Sequence, residues 1–351
     1  MEFSMRTDKM TLTDYEIQNS LAKLEHFLLQ LDENINWHRI KKILEPLDPS
    51  RRNVAGRDSY EPLKMFKVML IQWYDLSDPE MEFYLKTNLL FMHFCQFSIT
   101  ESKPDHSTIC RWRNRFTESG LFDSIFQGIM DELHGLGLEV KHGKMIDATL
   151  VTAHARPRKK VIIETEPTGD DEQAETPTYD ASEVVVRKSC DPNADWSARA
   201  NICTYGYKAH TVVDSNGIVE GLSVTPANVH DTVMFPALLD KSPLSEGDTV
   251  YADKGYHSEK NKELLKQRKL NDQIMHKRKR NEPENRQAIE RNKRIAKQRY
   301  VVERTFGSLK RSYGWARTRY IGLLKTTFYL QIRCLAFNIK RAMKVISLSP
   351  V

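Results

Sequence analysis

The four residues Asp214-Ser215-Asn216-Gly217 restrict the folds open to this chain more than any other feature. They separate two runs of β character, Tyr205 to Val213 and Ile218 to Val224. An Asn-Gly pair supplies the backbone angles that a tight turn between antiparallel strands requires, so a hairpin is expected here. Upstream, Met145-Ile146-Asp147 continuing to Val151 reads as another strand. Downstream, Thr249 to Asp253 reads as a short strand closed by Gly255, and Gln273 to His276 as one more. Helices are expected from His230 to Leu239 and from Glu259 to Gln267. A long basic helix begins near Pro283 and reaches about Tyr313, and a last amphipathic helix spans about Thr326 to Val345. The order is strand, hairpin, helix, strand, helix, strand, helix. It predicts a mixed α/β domain with helices on the faces of its sheet. Such a sheet can bring Asp147 beside Asp253, both at strand ends, where functional groups of open α/β sheets collect.

Residues 1 to about 140 read as helical instead. Leu21, Leu24, Leu28 and Leu31 recur at helical spacing; a second helix starts at Pro62, and Pro79 suits the first turn of a third. Pro104-Asp105-His106-Ser107 is a stop and N-cap signal before Thr108 to Phe116 and Leu121 to Leu133. Within it Arg111, Arg113 and Arg115 surround Trp112. After a preceding helix and turn, this is similar to a helix-turn-helix recognition helix near 104–117. The alternative is an ordinary basic helix packed through Trp112 and Phe116.

Charge is unevenly distributed along the 351 residues, whose net charge is only +6. From Val161 to Val186 there are eight acids and no Lys or Arg, which predicts a solvated acidic loop over about 157–195. From Ser258 to Arg311 there are eighteen Lys/Arg against seven Asp/Glu, a block suited to a polyanion such as nucleic acid or to a face laced with ion pairs. No apolar run approaches the ~18–20 residues that span a bilayer, so no membrane association is expected. Met1 to Gln30 lacks the pattern of a secretory signal, and the five cysteines include no C-x-x-C pair. A cytoplasmic setting is expected.

The chemistry suggested by the acids is metal-assisted phosphoryl transfer. Mg²⁺ prefers carboxylate and phosphate oxygens, and a two-ion site needs about three carboxylates from different elements. Asp147 and Asp253 each follow a short apolar strand. On the basic helix, Glu303 and Lys310 lie about 40° and about 20° around the axis from Arg299, one narrow stripe. Ile295, Val302, Phe306 and Leu309 form an apolar stripe beside it. Taken singly, each has a plainer reading: solvated strand ends carry Asp often, and Arg299–Glu303 is an ordinary i, i+4 surface pair.

The stretch from about Lys144 to Lys310 resembles the catalytic domain of bacterial insertion-sequence transposases of the Asp-Asp-Glu class, particularly the insertion-sequence five family. The resemblance rests on Ile146-Asp147-Ala148-Thr149, Tyr205-Gly206-Tyr207-Lys208-Ala209-His210, Val213-Asp214 and Thr225-Pro226-Ala227-Asn228-Val229-His230-Asp231. It continues through Ala252-Asp253-Lys254-Gly255-Tyr256 and the Arg299-x₃-Glu303-x₆-Lys310 spacing. Asp105-His106-Ser107-Thr108 is similar to that family's helical end-binding region. The resemblance implies a helical, terminal-repeat-binding region over 1–140, a ribonuclease-H-like catalytic domain over 141–323 and a C-terminal helix over 324–351. Asp147, Asp253 and Glu303 would hold two Mg²⁺ ions, with Mn²⁺ as a substitute, while Arg299 and Lys310 would contact phosphate near the scissile bond. Partners would be terminal inverted repeats and target DNA, met by a homodimer or larger assembly. Related transposases often carry Tyr three residues before that Arg, and here Ala296 stands there.

Other residues have competing assignments. Asp214 and Asp231 are rivals for the second carboxylate, although one opens a turn and the other sits at a helix start. His210, His230 and Tyr256 are accessory candidates, with structural roles as the alternative for the histidines. Lys254 beside Asp253 is a phosphate contact candidate. Of the neighbours Tyr207 and Lys208, only one can face the site. Trp196 either packs the start of the sheet or wedges against a flipped base. A catalytically silent DNA-binding protein and a nuclease without joining activity remain as alternatives.

Overall fold

The computed structural model describes residues 12–48, 59–138, 143–156, 191–199, 202–278, 283 and 285–348. Most of the expected acidic loop lies outside them. The N-terminal part is helical: α1 (Leu12–Leu21), α2 (Phe27–Asn34), α3 (Trp37–Leu44), α4 (Pro62–Ile71), α5 (Asp78–Thr87), α6 (Leu89–Phe94), α7 (His106–Ser119) and α8 (Phe122–Gly135). The leucine repeat crosses a break between α1 and α2. Leu21, Leu28 and Leu31 are buried, but Leu24 stands 54% exposed in the break. Pro62 and Pro79 start α4 and α5 as expected, and the Ser77 side chain caps α5 in a reciprocal box with Glu80. At α7, the Asp105 carboxylate accepts the Thr108 N–H.

The second part is a six-stranded mixed sheet. Its strands are β1 (Lys144–Thr152), β2 (Asp195–Arg199), β3 (Ile202–Val213), β4 (Val219–Pro226), β5 (Thr249–Ala252) and β6 (Asn271–Ile274). Their helices are α9 (Asp231–Asp240), α10 (Glu259–Gln267), α11 (Arg286–Ser312) and α12 (Leu323–Leu348). β3 pairs antiparallel with β1, β2 and β4, while β5 and β6 continue parallel from β1. The expected mixed α/β class, a helical region followed by a mixed sheet, is therefore observed. The hairpin turn forms as expected, with Gly217 at a φ of 83° and the buried Asp214 carboxylate accepting the Asn216 and Ile218 N–H groups. β2 was not expected: Asp-Trp-Ser-Ala-Arg alternates over only two apolar residues, and its pairing follows from the extension of β3 to Ile202.

Alternation along the strands sorts the sheet into two faces. Ile146, Val212, Ala252 and Ile274 pack with Phe235 and Leu238 of α9 and with Leu265 of α10. Met145, Val151, Tyr207 and Ala209 belong to the core that holds Val302, Phe306 and Leu309 of α11. The latter core runs on into the helical region. α12 joins the two parts, lying against β4 and against α4, α7 and α8. No helix among the described residues is long and apolar enough to cross a membrane.

Candidate active site

The register between β1 and β5 builds the site. Lys144, Met145 and Ile146 pair with Val250, Tyr251 and Ala252 in parallel, so the next residues along lie side by side: Asp253 just past the end of β5, and Asp147 inside the longer β1 rather than at a strand end as expected. Asp147 stays in β1, with one carboxylate oxygen accepting its neighbour Ala148 N–H at 2.8 Å. Asp253 ends its strand and accepts the Lys254 N–H at 2.7 Å, opening a single 3-10 turn over Lys254–Tyr256.

α11 crosses this corner and is tied down at several points. Near its start, Arg291 donates to the backbone carbonyls of Asp272 and Ile274, and Asn292 pairs with both backbone groups of His276. Further on, Val302, Phe306 and Leu309 enter the core and Thr305 sits against Gly217, where an added Cβ would lie 3.2 Å from its hydroxyl. Between these anchors Arg299 points into the sheet. Its guanidinium donates to Asp147 at 2.5 Å and lies 3.5 Å from Asp253. Only 7% of Arg299 is exposed, and its Nε has no hydrogen-bond partner among the described residues. Burial pushes the Asp147 carboxyl above its ordinary range; Arg299 and the Ala148 N–H oppose that shift, and Asp253 adds to it.

The structure thus brings Asp147, Asp253 and Arg299 together, and leaves Glu303 apart. Glu303 stands exposed one turn beyond Arg299. Among the described residues no three His, Cys, Asp or Glu side chains gather closely enough to hold a metal ion. The two aspartates fit a divalent cation by chemistry, since their hard oxygens already converge on one positive group. Arg299 itself is a buried clamp here rather than an exposed contact. Lys254 is exposed, Lys310 half-buried, and Lys293, Arg294, Lys297, Arg304 and Arg311 are exposed along α11.

Several other expected residues take structural positions. Tyr256 is fully buried against Phe235, with ring centroids 5.9 Å apart. His210 is buried and shares a hydrogen bond with Thr225. The His230 side chain caps α9. On α7, Arg113 is buried and its guanidinium clasps both oxygens of Asp78, which removes it from the exposed set. Arg111 is exposed; Arg115 is half-buried and stacks on Trp112 at 4.5 Å. Trp196 is 49% exposed, tilted against Tyr205.

One group had no sequence signal beyond its motif. Tyr207 lies on the α11 side of the sheet and Lys208 on the α9 side, where its ammonium meets Asp231 at 2.9 Å and donates to the Val229 carbonyl. A Cβ added at Gly255 would lie 3.2 Å from the other Asp231 oxygen. This pair, with Lys208 buried and Asp231 half-buried, therefore backs the turn that carries Asp253. The separation of Lys208 from Asp231 in sequence hides it until β3 and α9 are packed together.

Two aspartates side by side on neighbouring strands of a mixed sheet, under a long helix with an exposed basic face, define an acid-residue site suited to chemistry on a polyanion. Residues 144–339 match the family described as Transposase DDE domain, and residues 16–115 match Transposase domain (DUF772). Over 235 residues, 66% of this chain and 76% of the relative, the sequence is 34% identical to a transposase for insertion sequence element IS1106 of Neisseria meningitidis serogroup B. A cryo-EM structure of a piggyBac transposase synaptic complex with hairpin DNA aligns with a TM-score of 0.43 at 12% identity, covering 93% of this chain and 76% of that one. The chain belongs to the DDE-domain transposases, enzymes acting on DNA. These matches establish the Asp-Asp-Glu class and leave the narrower insertion-sequence five assignment as an expectation.

Proposed function

We propose that this chain is the transposase of an insertion sequence, which nicks DNA at the element's ends and joins the freed 3′-OH to target DNA by in-line phosphoryl transfer. The observation that carries this reading is the convergence of Asp147, in β1, and Asp253, just past the end of the parallel β5, on one guanidinium. Two carboxylates so placed need a cation, and Asp147, Asp253 and Glu303 are the residues that would hold Mg²⁺ or Mn²⁺. A metal held by these residues would supply Lewis acidity toward water or a 3′-OH and positive charge for the phosphoryl oxygens.

The chain's own residues hold and orient the substrate. The exposed cations of α11, together with Lys254 and Lys310, meet the phosphate backbone, giving an affinity that falls steeply with salt. Arg111 and Arg115 on α7 add contacts within the region that binds the terminal repeats. The Lys208–Asp231 pair fixes the turn from which Asp253 projects. Pairing two DNA ends calls for at least a homodimer, and the work belongs in the cytoplasm where the DNA is.

The test is nicking of terminal-repeat DNA with Mg²⁺ by wild type, Asp147→Asn, Asp253→Asn and Glu303→Gln. Each variant should lose at least about 100-fold, since even groups that only support metal ligands contribute ~10–100-fold. Equal nicking by wild type and Asp253→Asn overturns the assignment.

A further inference from the structure

Arg299 occupies the place in this site where a divalent cation is expected. It comes from α11, reaches across the sheet corner and contacts carboxylates from two strands. Arginine prefers to meet one carboxylate with its planar fork, through two parallel bonds. Here the fork is divided: one terminal nitrogen serves Asp147, the other faces Asp253 and the Met275 sulfur at 3.6 Å, and the buried Nε has no partner among the described residues. Arg113 supplies the contrast within the same molecule, since it clasps both oxygens of a single aspartate and also donates to Gln72. Arg299 is therefore placed by the demand of two neighbouring negative charges more than by its own hydrogen-bonding geometry.

We infer that Arg299 is a positioning residue that stands in for the divalent cation between Asp147 and Asp253, and that a metal ion must displace it to bind. The inference rests on the proposed metal-holding role of the two aspartates. With Arg299 in place the two carboxylates are held close together, and one of the oxygens a metal requires is engaged. Metal and guanidinium then compete for the same charge, so wild-type affinity for metal is lower than the donor set alone would give. The arrangement keeps the two strands in register without metal and restrains the site from loading at low metal concentration.

The experiment measures Mn²⁺ binding to the full chain without DNA, by the loss of the free-ion electron paramagnetic resonance signal, for wild type, Arg299→Gln and Arg299→Lys. Arg299→Gln should bind Mn²⁺ about 10-fold more tightly, the order of the coupling between close charge pairs. Arg299→Lys keeps the charge but has no fork to span both acids, and should fall between the two. Thermal unfolding provides a second readout, because saturating Mn²⁺ should raise the melting temperature of Arg299→Gln more than that of wild type. Should Arg299→Gln fail to fold, Arg299→Lys decides: affinity equal to or weaker than wild type overturns the inference. Asp147→Asn and Asp253→Asn separate the two levels of the argument. If they abolish Mn²⁺ binding while the Arg299 variants gain none, only the displacement fails. If they leave wild-type Mn²⁺ binding unchanged, the metal-site reading fails as well.

Discussion

α7 and α11 are both basic helices, and each buries one arginine among exposed ones. On α7 the buried Arg113 meets a single carboxylate, Asp78, also donates to Gln72, and lies over the Tyr320 ring at 5.0 Å. On α11 the buried Arg299 meets two carboxylates that arrive from different strands. The first is a closed arrangement in which guanidinium and carboxylate match one for one. The second sets two carboxylates against one guanidinium and leaves an excess of negative charge. A buried arginine is structural when its partners neutralise it locally, and points to function when acids outnumber it.

The sharpest way to break that comparison is to remove each arginine in turn. Arg113→Ala leaves Asp78 without its clasp and should cost about 3–5 kcal/mol, as breaking buried ion pairs does, with Mn²⁺ affinity unchanged. Urea unfolding with and without Mn²⁺ measures both quantities. A change in Mn²⁺ affinity on losing Arg113 would mean that the helical region reaches the metal site, and the contrast would collapse.

A second prediction concerns a buried acid held by backbone N–H groups. Burial pushes the Asp214 carboxyl up to about 6, against its turn N–H donors. Its folded form therefore binds a proton more tightly than the unfolded chain. Its contribution to stability is greatest below about pH 4 and declines as pH rises to about 6, by roughly 3 kcal/mol in all. Asp214→Asn keeps the turn acceptor and should flatten that slope in unfolding curves taken from pH 4 to 7. An unchanged slope would show that Asp214 is not the group responsible. The smallest effect is expected at Arg111, exposed on α7: Arg111→Ala should alter stability by less than about 0.5 kcal/mol and reduce the salt slope of DNA binding by about 1.

Much of the fold was legible because local chemistry determined it. The Asn-Gly turn, the proline-led helix starts and the alternating strands lie within a few residues of the signals that specify them. The 259–267 helix matches its observed bounds, and β6 sits two residues earlier than its apolar end suggested. β2 was hidden because it is short, with only Trp196 and Ala198 apolar, and it forms by pairing with β3. Leu24 satisfied the helical period yet fell in a break, since spacing does not reveal a chain reversal.

The site was legible in part for the same reason. Strand order put Asp147 next to Asp253, and the helical stripe put Arg299 beside the sheet. Whether Arg299 would face solvent or the acids depended on where α11 is pinned, which Arg291 and Asn292 decide through bonds to β6 and His276 that no periodicity encodes. Arg113 misled in the opposite direction, because arginine is rarely buried unless paired and Asp78 is 35 residues away.

The central claim is that the acids at the β1–β5 corner carry strand joining as well as cleavage. It is tested most directly by giving the full chain a terminal-repeat duplex already cut to expose its 3′-OH, with target DNA and Mg²⁺, and separating the products on a denaturing gel. Wild type should yield joined strands, and Asp253→Asn should yield none. Hydrolysed target without joined product would make the protein a nuclease, and equal joining by the Asp253→Asn variant would place the chemistry elsewhere.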